Sequence, residues 1–323
     1  MKYRSLGRTG LQVSEIGHGL WGMGDWSESE DAASLEAMRQ SMQAGCNFYD
    51  SAWAYGAGRS DQLLGRLVAA CRPARIHTAT KIPPANDKWP ASAEDEFDTV
   101  FPLDHIVKYA EDSRRRIGVE QIDLLQLHVW DDSWAADPKF RKVVEHIKHS
   151  GVAKYFGISL NRWEPGNGIK AIETGLIDTV QVIYNIFDQA PEDALLPICA
   201  EHNIGVIARV PLDEGSLGGK LTLETRFPAG DWRARYFGPE NLPETVERVA
   251  RLKRILPAGM TLPELALRFI LQNPAVSTVI AGMRRPAHIA QNTGLSGLEP
   301  LPPSLMAALR DQRWDRKVAP WAS

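Results

Sequence analysis

Residues 123–159 read DLLQLHVWDDSWAADPKFRKVVEHIKHSGVAKYFGIS. The stretch opens on a short apolar run, Asp123–His128, and closes on another, Tyr155–Ser159. Between them Asp137–His149 has the spacing of an amphipathic helix. Runs of this length suit strands buried on both faces, as strands of a parallel sheet are. The same alternation extends in both directions. Upstream lie Glu15–Leu20, Phe48–Ala52 and Ile76–Lys81; downstream lie Thr179–Asn185, Ile204–Val210 and Thr278–Gly282. That makes eight candidate strands.

The intervening stretches read as helices. Leu35, Met38 and Met42 share a helical face that Gly45 ends, and Asp104–Ile117 starts with Asp104 placed as an N-cap. Pro191 and Pro243 are positioned to open helices. Ahead of the alternation, Tyr3–Leu6 and Leu11–Ser14 flank the turn Gly7-Arg8-Thr9-Gly10 as a β-hairpin. The expectation is an α/β chain forming one (β/α)8 barrel domain over residues 1–323. A doubly wound open sheet is the rival, but no strand runs into a GxGxxG turn and the eightfold count favours closure. Three segments are long: Ile82–Pro102, Leu221–Leu242 and the tail Leu295–Ser323. The first two follow the third and seventh strands, on the face where a barrel keeps its active site.

Composition narrows the class of function. The 323 residues carry 37 Lys and Arg against 40 Asp and Glu, a net charge of −3, without the basic excess of a nucleic-acid binder. Cys46, Cys71 and Cys199 form no CxxC pair, which suits a reducing compartment. The polar start MKYRSLGRTG reads as no secretory signal, and no apolar run reaches membrane-spanning length. A cytoplasmic setting is expected, with no membrane and no nucleic acid as partner. Tryptophan is abundant: ten, against seven Tyr and nine Phe. Trp often anchors binding surfaces, so the positions of these ten bear on function.

Polar residues that end buried barrel strands are the first candidates for chemistry. The second strand ends at Asp50, the third at Lys81 and the fourth at His128; Tyr55 lies on the loop after Asp50. A phenol is a poor proton donor or acceptor at neutral pH unless shifted, and a nearby ammonium lowers its pKa. A buried ammonium in turn needs a counter-ion, which Asp50 supplies. His128 can hydrogen-bond a carbonyl or alcohol oxygen and orient it towards Tyr55. The set suits protonation of a carbonyl oxygen as hydride reaches the carbon.

NFYDSAWAYG at 47–56 followed by SDQLLG, then HTATK and LLQLH, resembles the aldo-keto reductase superfamily. The opening MKYRSLGRTGLQVSEIGHGLWGMG resembles that family's hairpin and first strand, and matching features continue through the chain. The resemblance implies a nicotinamide-dependent barrel reductase with Tyr55 as general acid/base, Asp50 and Lys81 tuning it, and His128 orienting substrate. It also implies a C-terminal tail folded over the active-site face.

Cofactor contacts carry over where residues match. Gly157–Ser159 resembles the family's GVSN, which points to Ser159 and, one place late, Asn161 for the carboxamide; Gln181 matches a further carboxamide contact. Gly22, after the first strand, joins the set. The seventh strand departs from the pattern: where Tyr-Ser-Pro-Leu is usual, this chain has Arg209-Val210-Pro211-Leu212. A guanidinium can also stack on a ring, but a cation disfavours oxidised nicotinamide. Asp213, Gly215, Ser216 and Leu217 lie in a segment suited to pyrophosphate. Gly282, Arg284, His288, Gln291 and Asn292 fall in the segment that the resemblance implies for adenosine, with Pro286 opening a helix beside the arginines. Arg284 and His288 favour NADPH/NADP+ over NADH/NAD+.

Trp21, Trp53 and Trp130 are expected in the substrate pocket with Tyr55 and His128, and Arg59 or Asp131 at its edge. Eight tryptophans (Trp21, Trp26, Trp53, Trp89, Trp130, Trp134, Trp163 and Trp232) follow strands on the same face; Trp314 and Trp321 lie in the tail. No metal is expected: His146 and His149 share a helix face with Lys142 and lack a carboxylate partner. His77 reads as structural, and Arg114-Arg115-Arg116 as a solvated face paired with Glu111 and Asp112. The leading reading is reversible reduction of an aldehyde, ketone or sugar carbonyl. The alternatives are a nicotinamide-binding redox sensor with little turnover, and a barrel isomerase or lyase using Lys81 as a Schiff base. Oligomeric state is not readable from these residues.

Overall fold

A computed structural model describes residues 1–24, 30–72, 74–228 and 230–316. The apolar runs form eight parallel strands: β3 (Ile16–Gly19), β4 (Phe48–Asp50), β5 (His77–Ile82), β6 (Ile122–Leu127), β7 (Ala153–Ser159), β8 (Thr179–Ile183), β9 (Gly205–Arg209) and β10 (Val276–Gly282). They close in chain order, the seam joining β10 to β3 with Val279 opposite Ile16. Closure pairs each of these eight strands on both edges, so the barrel sheet has no open edge.

Strands β1 (Tyr3–Ser5) and β2 (Gln12–Ser14) form the antiparallel hairpin, with Tyr3 opposite Ser14. Its connection is a 3-10 turn, Gly7–Thr9, that seals the barrel floor. Gly7 is left-handed (φ 51°), and a Cβ there would sit 2.2 Å from the Gly205 nitrogen. Only glycine fits so close to another backbone. Leu6, Leu11 and Val13 pack there against Phe48, Ala79, Leu124, Ile207 and Ile280 from the strands.

The helices are α1 (Asp31–Gln43), α2 (Arg59–Cys71), α3 (Phe97–Val100), α4 (Leu103–Ile117), α5 (Pro138–Ser150), α6 (Ile169–Glu173), α7 (Leu195–Glu201), α8 (Arg233–Tyr236), α9 (Asn241–Ile255), α10 (Leu262–Leu271), α11 (Pro286–Thr293) and α12 (Pro303–Arg310). Their apolar faces meet the outer strand faces in the larger core. Asp137 caps α5, accepting from the Lys139 amide at 2.8 Å. Asp104 does not cap α4. Pro102 holds the extended cap conformation one residue before Leu103, leaving Asp104 inside the first turn, where its carboxylate still favours the helix N-terminus.

The long segments are tied down. Trp134 donates its indole N–H to the Asp95 carbonyl (2.6 Å), and the 221–242 segment gathers Tyr236, Phe237 and Leu242 into a small cluster of its own. In the tail, Trp314 packs edge-on against Phe187, and Arg316 enters the loops at the strands' C-terminal end. The rest of the tail, including Trp321, lies outside the described residues, as does Trp26. Among the described residues no helix is long and apolar enough to cross a membrane. All three cysteines are buried free thiols. His146 and His149 are exposed on α5, and Arg114, Arg115 and Arg116 pair with Glu111 and Asp112 as their spacing indicates.

Candidate active site

Because all eight strands point the same way, their C-terminal residues share one mouth. Asp50 ends β4, Lys81 is the penultimate residue of β5, and His128 directly follows β6. Tyr55 returns to that mouth through a tight turn, its amide donating to the Ala52 carbonyl at 3.0 Å. Gly56, Ala57 and Gly58 then run left-handed, with φ of 65°, 50° and 88°. Gly24 backs onto this turn: a Cβ there would lie 3.0 Å from the Tyr55 carbonyl carbon.

Lys81 Nζ is the hub. It donates to Asp50 Oδ2 at 2.6 Å, to the Ser51 carbonyl at 2.7 Å and to the Tyr55 hydroxyl at 3.4 Å. Gln181 Nε2 (2.9 Å) and Gln126 Nε2 (3.3 Å) hold the other Asp50 oxygen. Behind the pair, buried Asp61 accepts from Ser51, Thr80 and Ser113. Burial alone would depress the Lys81 ammonium, but Asp50 and then Tyr55 outweigh it and raise the pKa. Burial likewise raises the Tyr55 phenol, and the downward pull of Lys81 does not overcome it. The ammonium is visible in the sequence, whereas the desolvation that outweighs it is set by the fold. The resident form is the neutral phenol, which has a proton to give. His128 packs edge-on to Tyr55, ring centroids 5.6 Å apart. Burial, then Lys81 and Arg209, push its pKa well down, so its ring is neutral and can donate from one nitrogen only.

This cluster forms the floor of a cavity of about 630 Å³. Trp21 and Trp130 line it, as do Trp89, Trp163 and Trp232. Trp53 does not. Its indole turns outward, donating to Asp112 at 2.8 Å and packing edge-on against Tyr109. The chain here is a turn, so Trp53 and Tyr55 do not share a face as they would in a strand. Trp134 is buried among Phe97, Phe101 and Phe140 beneath the wall, and Trp314 stays with the tail. Arg59 pairs with Asp31 and Asp131 accepts from Ser133 and Asn167; neither lines the cavity.

Of the residues assigned to a cofactor, Gly22, Ser159, Asn161, Gln181, Arg209, Pro211, Leu212, Gly215, Gly282, Arg284 and His288 line one continuous wall. Asp213, Ser216, Leu217, Gln291 and Asn292 lie behind it. Asp213 is fully buried, accepting from Ser216, Tyr236 and Arg316, and so anchors the loop from within. Gln291 reaches Thr261. Asn161 Oδ1 is taken by the Trp163 and Glu164 amides, a turn-capping use. Sequence reasoning passed over Glu214, Arg162 and Tyr236, which also line the wall; the acid directly before Gly215 was the available signal.

The wall fits a nicotinamide nucleotide. Among the described residues the buried Arg209 Nε, His128 Nδ1 and Trp232 Nε1 have no hydrogen-bond partner, and Gly215 and Gly282 have nothing within 4 Å of where a Cβ would stand. Polar nitrogens without partners beside bare backbone suit an elongated polar ligand.

Fold and site together define a barrel oxidoreductase with a Tyr-Lys-Asp-His cluster at the C-terminal mouth. The aldo/keto reductase family model matches residues 15–312, so the chain belongs to that family and is a nicotinamide-dependent oxidoreductase. Aldo-keto reductase YhdN of Bacillus subtilis is 27% identical over 304 residues, covering 92% of this chain and 89% of its own. A probable voltage-gated potassium channel subunit beta of Arabidopsis thaliana is 28% identical, covering 93% of each chain. Among solved structures, the holo form of the Bacillus halodurans aldo-keto reductase AKR11C1 superposes with a TM-score of 0.77 over 100% of both chains, at 26% identity.

Proposed function

We propose that the protein reversibly reduces an aldehyde, ketone or sugar carbonyl, with NADPH as the favoured cofactor and Tyr55 as the general acid/base. The bridging of Asp50 and Tyr55 by Lys81 Nζ, at 2.6 and 3.4 Å on the cavity floor, carries this reading. The bound nicotinamide supplies the hydride. His128, neutral, donates to the carbonyl oxygen and turns it towards Tyr55. As negative charge develops on that oxygen, Tyr55 gives up its proton and Lys81 stabilises the phenolate left behind. Asp50, held by Gln181 and Gln126, keeps Lys81 charged. The indoles of Trp21, Trp89 and Trp232 line the cavity and suit the flat face of an aromatic aldehyde or the C–H face of a sugar. A fully assembled proton-transfer cluster favours turnover over the redox-sensor alternative. Three buried thiols suit a reducing cytoplasm.

NADPH is favoured by the cations at the far end of the wall. Partial burial, then Arg285, Lys220 and Arg284, push the His288 pKa down, which marks a positive cluster suited to a 2′-phosphate. Arg284→Ala is expected to weaken NADPH binding tenfold or more while changing NADH binding less than twofold, measured by tryptophan quenching. Tyr55→Phe is expected to keep NADPH affinity within about twofold and to lower kcat by at least 100-fold, followed at 340 nm over a panel of aldehydes and sugars. Unchanged kcat in that variant would remove Tyr55 from the mechanism.

A further inference from the structure

Arg209 ends β9 and enters the wall of the cavity that Tyr55, His128 and Gln181 also line. Its bonding is sparse for a guanidinium in such a place. One Nη2 donates to the Leu160 carbonyl at 2.9 Å, and the buried Nε has no partner. Among the described residues no carboxylate lies within salt-bridge distance of it. Asp50 is taken up by Lys81, and Glu214, whose side chain is 8% exposed, faces Arg162 at 3.5 Å. Burial raises the Glu214 carboxyl to about 7, which leaves it a partial counter-charge near neutrality. Asp188, whose carboxyl burial pushes up but Arg162, Arg316 and Arg209 together hold down, is hydrogen-bonded to Asn185 and lies 3.7 Å from Arg316. The reaction centre therefore holds Lys81, in direct contact with its carboxylate, and Arg209, which feels carboxylates only at a distance.

Resting on the reductase reading above, we propose that Arg209 makes the site bind reduced nicotinamide more tightly than oxidised nicotinamide. The reduced ring is neutral and the oxidised ring carries one positive charge. Two like charges in a cavity walled by protein repel more strongly than in open solvent, because the interaction scales inversely with the local dielectric. While Tyr55 is a phenolate after giving up its proton, its negative charge offsets Arg209. Once Tyr55 regains a proton from water, the offset is gone and Arg209 promotes release of the oxidised cofactor. The residue thus favours the reductive direction through product departure, leaving proton transfer to the Tyr55 cluster.

The test is equilibrium binding, read by quenching of intrinsic tryptophan fluorescence at pH 7, of NADPH and NADP+ to the wild type, Arg209→Met, Arg209→Lys and Glu214→Gln. The wild type is expected to show a dissociation constant at least tenfold larger for the oxidised form. Arg209→Lys should keep that ratio. Arg209→Met should cut it at least fivefold, chiefly by tightening NADP+. Glu214→Gln, which deletes the partial counter-charge, should widen it. Should Arg209→Met fail to fold, the wild-type ratio and the Glu214→Gln shift still decide. A ratio near one in the wild type, or an unchanged ratio in folded Arg209→Met, overturns the proposal, as does equal weakening of both forms in that variant; if Arg209→Met does not fold, an unchanged ratio in Glu214→Gln overturns it. Failure of the wild type to bind either nucleotide overturns the reductase reading itself.

Discussion

His18 shows how one buried side chain sets a pH dependence. It is fully enclosed, with Nδ1 2.8 Å from the Ser41 hydroxyl and its ring stacked on Tyr49. Burial pushes its pKa down from 6.5 to about 3. The unfolded chain therefore binds a proton that the folded one refuses between those values. The neutral-histidine contribution is fully present above pH 6.5 and is lost as pH falls towards 3, to a limit of roughly 5 kcal/mol. His18→Asn is expected to flatten the fall of Tm between pH 6.5 and pH 4, measured by thermal melts; an equally steep fall would assign the acid sensitivity to other groups. The same desolvation physics keeps His128 neutral and Tyr55 protonated in the site. Residue types name a candidate acid, but only its surroundings say which form it rests in.

Secondary-structure elements place these residues, and close backbone approaches set their register. Between β7 and β8, Gly157 faces Thr179: a Cβ at 157 would lie 2.1 Å from Thr179 Oγ1 and 2.9 Å from its carbonyl oxygen. Since β7 delivers Ser159 and β8 delivers Gln181, which sit opposite each other, this glycine aligns two cavity residues. Gly157→Ala is expected to cost about 2–3 kcal/mol by overpacking and to weaken cofactor binding, read as a lower Tm and a larger dissociation constant. The apolar runs Phe48–Ala52 and Thr179–Asn185 overrun β4 and β8, which stop at Asp50 and Ile183. Apolar character reports burial, and the residues beyond these strand ends are buried by loops. Asp104 failed as a cap for a related reason: cap chemistry is also useful inside a first turn, so residue type alone does not set the boundary.

Over the whole molecule, the tail locks the loops that line the cavity. The Arg316 side chain, 2% exposed, donates to Asp213 at 2.8 Å and also to the Tyr236 hydroxyl, and stacks at 4.1 Å on Trp314. Asp213 itself is left-handed (φ 44°), as are Glu214 and Gly215 after it. Such a backbone persists only where its surroundings hold it. Breaking a buried ion pair from one side costs about 3–5 kcal/mol, since the stranded charge stays buried. Arg316→Met is therefore expected to raise hydrogen exchange across 212–219 and 233–237 and to weaken cofactor binding about tenfold. Equal exchange in wild type and variant would show the loops to be held without the tail.

The barrel, its hairpin and the strand-end positions of Asp50, Lys81 and His128 were legible in the chain, because strand length and burial pattern are local properties. The reductase resemblance was legible too, through motifs contiguous along the sequence. Local patterning did not reveal which tryptophans face the cavity. Trp53 turns away while Trp89 and Trp232, far apart in sequence, face it, because side-chain direction in loops depends on what each loop packs against. It also did not show that Asp213 is an internal anchor, since its partners Tyr236 and Arg316 lie 23 and 103 residues away. Sequence by itself determined the fold and the chemistry available at the mouth; tertiary packing alone decided the charge balance there, because desolvation and ion pairing are set by neighbours distant along the chain.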